Sequence, residues 1–251
     1  MSAAAHEQLI PSVWTRPRRG RREQPALSRE YIVAEAIGLL DAEGVEALSM
    51  RRLAARLNAG ATSLYSHVAN KDELVELVVD EVYGEMEVPA AGGPEGWRAA
   101  AVSGAQSLRA TLLRHPWLAS VLGGSSFSSL GPRMLRNTED LLAVFESGGF
   151  PLDEAHHAVR ALLAYVIGAG TGEAAFVIAL ARSGRSREEW AERVRPVVAQ
   201  AVRPYPRLST WFAAQRGGGE PAASADAFGY GLDLMLDGLA ARLVRASGAA
   251  G

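Results

Sequence analysis

Apolar residues recur along this chain with helical spacing. After Ser28 comes a run in which Ile32, Val33, Ala36, Ile37 and Leu40 fall on one side, and Gly44 closes it. A capping Ser, an apolar stripe and a terminal Gly predict an amphipathic helix. A second stripe, Met50, Leu53, Ala54 and Leu57, follows Ser49 and leaves Arg51, Arg52 and Arg56 on its other faces. Asn58, Ala59 and Gly60 then reverse the chain, because Asn and Gly tolerate left-handed backbone. Farther on, Asn70 with Glu73 forms a capping-box-like start for a fourth helix over 70–86, with Leu74, Leu77, Val78 and Val82 on its inner side. No run of alternating Val, Ile and Thr bounded by turns interrupts this pattern, which predicts an all-α fold.

Between the turn and the fourth helix lies "ATSLYSHV", too polar for an ordinary core element. At about 100° per residue, Ala61, Leu64 and Val68 share one narrow face, Thr62, Ser63 and Ser66 point away, and Tyr65 and His67 flank. A helix of about seven residues is unstable alone, so the two preceding helices must hold it and leave its outer face free for a DNA groove. Small hydroxyls suit base edges. Tyr65, His67 and Lys71 are placed for phosphates, with Lys71 at a helix N-terminus, where backbone N–H groups favour an anion. A small three-helix core whose polar face meets only water fits the same spacing, and spacing alone leaves both readings open.

The rest of the chain predicts a larger helical layer. Pro94 can open a helix carrying Trp97, Leu108 and Leu112, and another runs from Pro132 through Met134, Leu135, Leu141, Leu142 and Phe145 to Gly148 and Gly149. A long helix over 153–180 carries Val159, Leu162, Leu163, Val166 and Ile167, and a last one over 228–243 carries Leu232, Met235, Leu236 and Leu239. Glycines 168, 170, 172, 229 and 231 within these two helices make sense where helices cross closely. Two long apolar-faced helices suit a four-helix bundle with a second copy, a homodimer, although they could instead close a monomer core. Residues 123–131 read as a loop and 216–224 as a linker. Trp97, Leu112, His115, Trp117, Phe127, Met134, Leu135, Thr138, Tyr165 and Phe176 together have the mostly apolar, aromatic profile of a small-molecule pocket, although any one of them suits plain core.

Composition narrows the chemistry. The 251 residues, 48% hydrophobic and 22% charged, suffice for a small domain plus a larger one, and the absence of Cys excludes disulfides, thiolate metal sites and a Cys nucleophile. No uncharged apolar run approaches the roughly 18–20 residues of a membrane span. The best candidate, 161–172, is bounded by Arg160 and Glu173, so no membrane association is expected. The first 22 residues place their charge after a weakly apolar part, the reverse of a secretory signal, and imply a cytoplasmic protein. Net charge is −2, with five Arg in residues 16–22; that run is either a solvated tail or an arm that follows DNA. Nucleotide-binding Gly motifs, GxSxG and HExxH are missing, and His156 and His157 point about 100° apart, so no enzyme, cofactor or metal is expected.

Residues 28–78, "SREYIVAEAIGLLDAEGVEALSMRRLAARLNAGATSLYSHVANKDELVELV", resemble the DNA-binding domain of the tetracycline-repressor (TetR) family, above all in "LYSHVANKDEL". Later segments, "GWRAAAVSGAQSLRATLLRHPWLASVL", "ESGGFPLDEAHHAVRALLAYVIGAG" and "FGYGLDLMLDGL", are similar to the ligand-binding and dimerisation domain of its tetracycline-repressor branch. The resemblance implies a flexible basic arm over 1–27, a helix-turn-helix domain over 28–74 and a ligand-binding and dimerisation domain over 75–251. It puts DNA contacts on Arg51, Ala61, Thr62, Ser63, Tyr65, Ser66, His67 and Lys71. Ala61 and Ser66 stand where the tetracycline repressor carries larger side chains, which implies a different operator. His115, in "RHPW", is matched to a metal-binding His of that repressor, whereas Glu87 replaces a drug-contacting His, which argues against magnesium-tetracycline as effector. The implied function is a homodimeric regulator, a repressor released from a palindromic operator in double-stranded DNA by a small-molecule effector. A helix-turn-helix protein that binds DNA constitutively is the alternative, and a helical enzyme a remote third.

Overall fold

A computed structural model of the chain describes residues 27–93, 95–122, 131–214 and 220–249, and the regular structure of these residues is helical. Four helices come first: α1 (Arg29–Glu43), α2 (Met50–Arg56), α3 (Ala61–Tyr65) and α4 (Lys71–Tyr83), with a 3-10 turn at Val45–Ala47. Ser28 caps α1 by accepting the Tyr31 N–H, and Gly44 ends it at φ 81°, a backbone angle costly for any residue with a Cβ. Ser49 caps α2 in the same way. In the turn that follows only Asn58 takes the left-handed conformation, at φ 48°; Gly60 is extended, at φ −68°, and serves as the N-cap of α3. Ile32, Leu39, Leu53, Leu64, Val68, Leu74 and Val78 fill the space between these helices and are buried.

The second layer contains α5 (Gly96–Arg114), α6 (Trp117–Leu122), α7 (Pro132–Ser147), α8 (Leu152–Ser183), α9 (Arg187–Val202), α10 (Pro206–Ala214) and α11 (Glu220–Ala249). Helices α5, α7 and α8 pack together around Leu108, Leu112, Leu141, Phe145, Val159, Leu162 and Val166, and α11 adds Phe228, Leu232 and Leu236. At the α5–α8 crossing a Cβ on Gly170 would lie 2.8 Å from Leu112 Cδ1, and Gly231 of α11 abuts Tyr165 just as closely. Gly168, Gly172 and Gly229 meet nothing within 4 Å of a would-be Cβ, so only some of the glycines serve crossings inside the protomer.

Several boundaries differ from the sequence pattern. The final helix starts at Glu220, so residues 220–224 are helical rather than linker: Pro221 suits a first turn and the Ala-rich stretch after it favours helix. Helices α9 and α10 were not anticipated. They bury none of their residues within the protomer, so no continuous apolar stripe betrays them, and α9 accommodates Pro196 in its interior. Helix α8 runs 32 residues, and its 18-residue window of mean hydropathy 1.7 makes it long and apolar enough to cross a membrane by length and composition, contrary to the expectation from uncharged runs alone. In this fold its inner side packs on α5, α6, α7 and α11, and Glu173 holds Arg109 of α5. Residues 16–22, Pro94, Phe127, 123–130 and 216–219 lie outside the described residues.

Candidate nucleic-acid interface and the domain behind it

Helix α3 is anchored from below and open above. Leu64 and Val68 are 0% exposed, whereas Thr62, Ser63 and Ser66 are exposed and Tyr65 is 50% exposed. The backbone beneath is pinned on three sides. Arg29 donates to the His67 carbonyl at 3.2 Å, the Glu73 carboxylate accepts the Ala69 N–H, and the Asn70 side chain accepts the Glu73 N–H at 2.8 Å. The capping-box expectation at Asn70 and Glu73 thus holds with a shift: the returning bond reaches Ala69 rather than the cap residue itself. The Ser66 hydroxyl donates to the Ser63 carbonyl at 2.7 Å, which keeps its oxygen available as an acceptor.

Charges around α3 are sorted by pairing. On α2, Arg52 is paired with Glu43 and Arg56 with Glu35, so both belong to the domain's internal ties. Arg51 and Lys71 are exposed and form no ion pair among the described residues. The chain's only lysine therefore sits exposed at the first position of α4. His67 is half-buried at the end of the α3 turn, and Ala61 supplies the first residue of α3. The eight residues expected to touch DNA lie within one compact helix-turn-helix unit and the start of the next helix.

Helix α4 links this unit to the second layer. It packs against α1 on one side and α7 on the other. Asp80, 1% exposed, caps α7 from outside: its Oδ1 accepts the Arg133 N–H at 2.9 Å and the Met134 N–H at 3.2 Å. Gly131 is required beside it, since a Cβ there would collide with the carboxylate. Burial pushes the Asp80 carboxyl above its ordinary 3.8, against the pull of the two α7 N–H groups and of Arg133. Asn137 donates to the Tyr83 carbonyl at 2.8 Å, and burial pushes the Tyr83 hydroxyl up to about 12. Sequence reading missed this α4–α7 contact; Asp80 resembles any helix-surface acid until α7 is placed against it.

Nine of the ten residues expected to line a pocket are described, and they lie on or beside α5 to α8. Trp97 lies with its ring tilted on Phe145 at 5.7 Å and edge-on to Phe150 at 5.0 Å, and Leu112 and Trp117 are buried in the core. His115 is buried with both ring nitrogens on carboxylates, Nδ1 on Asp41 at 2.7 Å and Nε2 on Glu85 at 3.1 Å, so the histidine matched to a metal ligand faces α1 and the α4–α5 connection. Met134 and Thr138 are half-buried on α7, while Leu135 is 51% exposed. Tyr165 donates to the Phe228 carbonyl at 2.7 Å, and Phe176 lies under the Arg187 guanidinium. A separate cleft of about 680 Å³, between the α4–α5 connection and α7, is lined by Met86, Glu87, Ser103, Arg133, Arg136, Asn137 and neighbours, and by none of the ten. Among the described residues no group of three His, Asp or Glu side chains could hold a metal ion.

Comparison with known proteins places both layers. Residues 32–78 match the family model for bacterial regulatory proteins of the tetR family, and residues 89–243 match that for the tetracyclin repressor-like C-terminal domain. An HTH-type transcriptional regulator from Saccharopolyspora erythraea is 37% identical over 230 residues, 92% of each chain. The HTH-type transcriptional repressor DrrR1 of Streptomyces coeruleorubidus is 34% identical, covering 92% of this chain and 83% of its own. The crystal structure of the TetR family protein ActR from Streptomyces coelicolor in complex with actinorhodin is similar at TM-score 0.69 and 31% identity, over 86% of this chain and 98% of ActR. The fold, the two matched regions and these relatives agree: the chain belongs to the TetR family of bacterial transcriptional regulators.

Proposed function

We propose that two copies of this chain bind a palindromic operator in double-stranded DNA as a repressor in the cytoplasm, and that a small-molecule effector in the C-terminal domain releases it. The outer face of α3 supports this most strongly: Thr62, Ser63, Tyr65 and Ser66 stand exposed over a fully buried Leu64 and Val68. Arg51 and Lys71, at the starts of α2 and α4, join Tyr65 and His67 in the phosphate contacts, and Ala61 and Ser66 complete the set on and beside the reading helix. Dimerisation is favoured by α8 and α11. Only 22% of the most apolar window of α8 is buried within the protomer, and Tyr230, Leu234 and Val244 of α11 are more than half exposed. A second copy covering these faces forms a four-helix bundle and sets two reading helices one DNA turn apart, about 34–36 Å.

Effector release follows from α4. The helix touches both α1 and α7, so a molecule that fits better when α7 has moved spreads the reading helices through α4; only such differential affinity shifts the equilibrium. Met134, Thr138, Tyr165 and Phe176, half-buried on α7 and α8, are the side chains we assign to the effector among those first singled out. The test is fluorescence-anisotropy titration of DNA from upstream of the chain's own gene and of a genomic fragment pool, with excess nonspecific competitor, at two salt concentrations. Saturable binding to one palindromic segment supports the reading; weak, uniformly salt-sensitive binding to every fragment rejects it.

A further inference from the structure

The corner between α5 and α6 reaches across the molecule. His115 caps α5, and Pro116 behind it holds its backbone out of the helix, at φ −119° and ψ 70°. Its side chain, 5% exposed, lies between two carboxylates from different parts of the chain. Nδ1 is 2.7 Å from Asp41 Oδ1 on α1, and Nε2 is 3.1 Å from Glu85 Oε1, two residues beyond α4. Trp117 Nε1 donates to the same Asp41 oxygen at 2.7 Å, and its ring stands edge-on to the imidazole at 6.0 Å. Arg114 closes the group by pairing with Glu85. Carboxylate oxygens only accept, so both imidazole contacts are hydrogen bonds when the ring carries a proton on each nitrogen.

The placement of the partners gives this cluster its meaning. Asp41 belongs to the matched DNA-binding region, His115 and Trp117 to the matched C-terminal region, and Glu85 to the stretch between them. We propose that Asp41, His115, Glu85 and Trp117 form a positioning joint that holds the helix-turn-helix unit at one angle to the effector domain. His115 and Trp117 are buried, and the carboxylates of Asp41 and Glu85, 34% and 35% exposed, hold both rings by directional hydrogen bonds, so the cluster favours one geometry. Its consequence for operator release rests on the regulator reading above, but its existence is measured without DNA or effector.

The chain has no cysteine, so Thr62→Cys on α3 and Glu146→Cys on α7 create an unambiguous spin-label pair within one protomer. Labelled protein diluted into excess unlabelled protein reports the intramolecular distance by pulsed dipolar spectroscopy, whether or not the chain dimerises. The parent is expected to show one narrow distance. In His115→Ala and in Asp41→Ala the spread of distances is expected to grow about twofold, because the unit now samples several angles. Asp41→Asn, which keeps an acceptor for Trp117 Nε1 and His115 Nδ1, is expected to stay narrow. If His115→Ala fails to fold, Asp41→Ala, whose native side chain is 34% exposed, carries the test. A distribution unchanged in folded Asp41→Ala overturns the joint. Failure to find an operator would instead strike the regulator reading and leave this measurement standing.

Discussion

Three glycines of α8 separate what holds one protomer together from what joins two. Gly168 and Gly172 lie about 40° apart around the helix, and Gly170 about 160° from each. Gly170 faces Leu112, whose Cδ1 would be 2.8 Å from an added Cβ, whereas Gly168 and Gly172 face open space within the protomer. Replacing a mid-helix Gly by Ala favours the helix by about 1 kcal/mol. At Gly170 that gain is set against an overpacking cost of about 1–3 kcal/mol, so Gly170→Ala lowers protomer stability by up to about 2 kcal/mol. At Gly168 and Gly172 the gain stands alone in a free protomer. If a partner's helices pack closely on this face, each added methyl costs about 1–3 kcal/mol in the dimer only, and symmetry counts it twice. The helix gain is common to both states and cancels, so the dimer dissociation constant rises by at least about 30-fold. Sedimentation equilibrium on Gly168→Ala and Gly172→Ala, beside thermal unfolding of each, reads both quantities. Variants that gain stability without any weakening of self-association would refute close packing on this face.

Further perturbations address the DNA-binding unit and α4. Tyr65→Ala and Lys71→Ala are expected to weaken operator binding by about 1–3 kcal/mol each, with Lys71→Ala also lowering the slope of log affinity on log salt by about one, while sedimentation shows the dimer intact; unchanged affinity in both would remove this face from the interface. Leu64→Ala empties a fully buried site at the centre of the small domain and is expected to cost about 2–5 kcal/mol, seen as fast amide exchange in α1 to α3 with α8 still protected; slow exchange throughout would contradict this. Asp80 carries a carboxyl held above 3.8 by burial, so it binds its proton more tightly folded than unfolded. Its charge opposes folding above the raised value, and the opposition fades as pH falls through that value toward 3.8. Asp80→Asn keeps an acceptor for the α7 N–H groups, so its stability relative to the parent is expected to increase with pH across this window in urea titrations; a constant difference would count against a buried charge at Asp80.

What the chain discloses of itself follows the range of each interaction. Ser28, Gly44, Ser49 and Asn70 announce helix ends because capping is settled within three or four residues, and the short stripe Ala61, Leu64, Val68 marks an element with a free outer face. Helix α9 carried its own signal, a capping box in which Ser186 and Glu189 satisfy each other's backbone N–H groups. Without a buried stripe to follow it, that signal reads as a turn. The candidate pocket was less legible. Trp97 and Leu112 have pocket-like chemistry, and only the fold brings Phe145 and Phe150 against the one and Gly170 against the other. Asp41 and His115 are 74 residues apart, and nothing local to either announces the other.

The central claim is that α3 reads DNA as one of a symmetric pair. Its most direct test is selection of binding sites from a random duplex library by the purified chain, with Tyr65→Ala as control. The account predicts an inverted repeat whose half-site centres lie about 10–10.5 base pairs apart or a multiple of that spacing, recovered by the parent and lost by the variant. A single unpaired motif would contradict the symmetric dimer, and no enriched sequence at all would contradict the reading of α3.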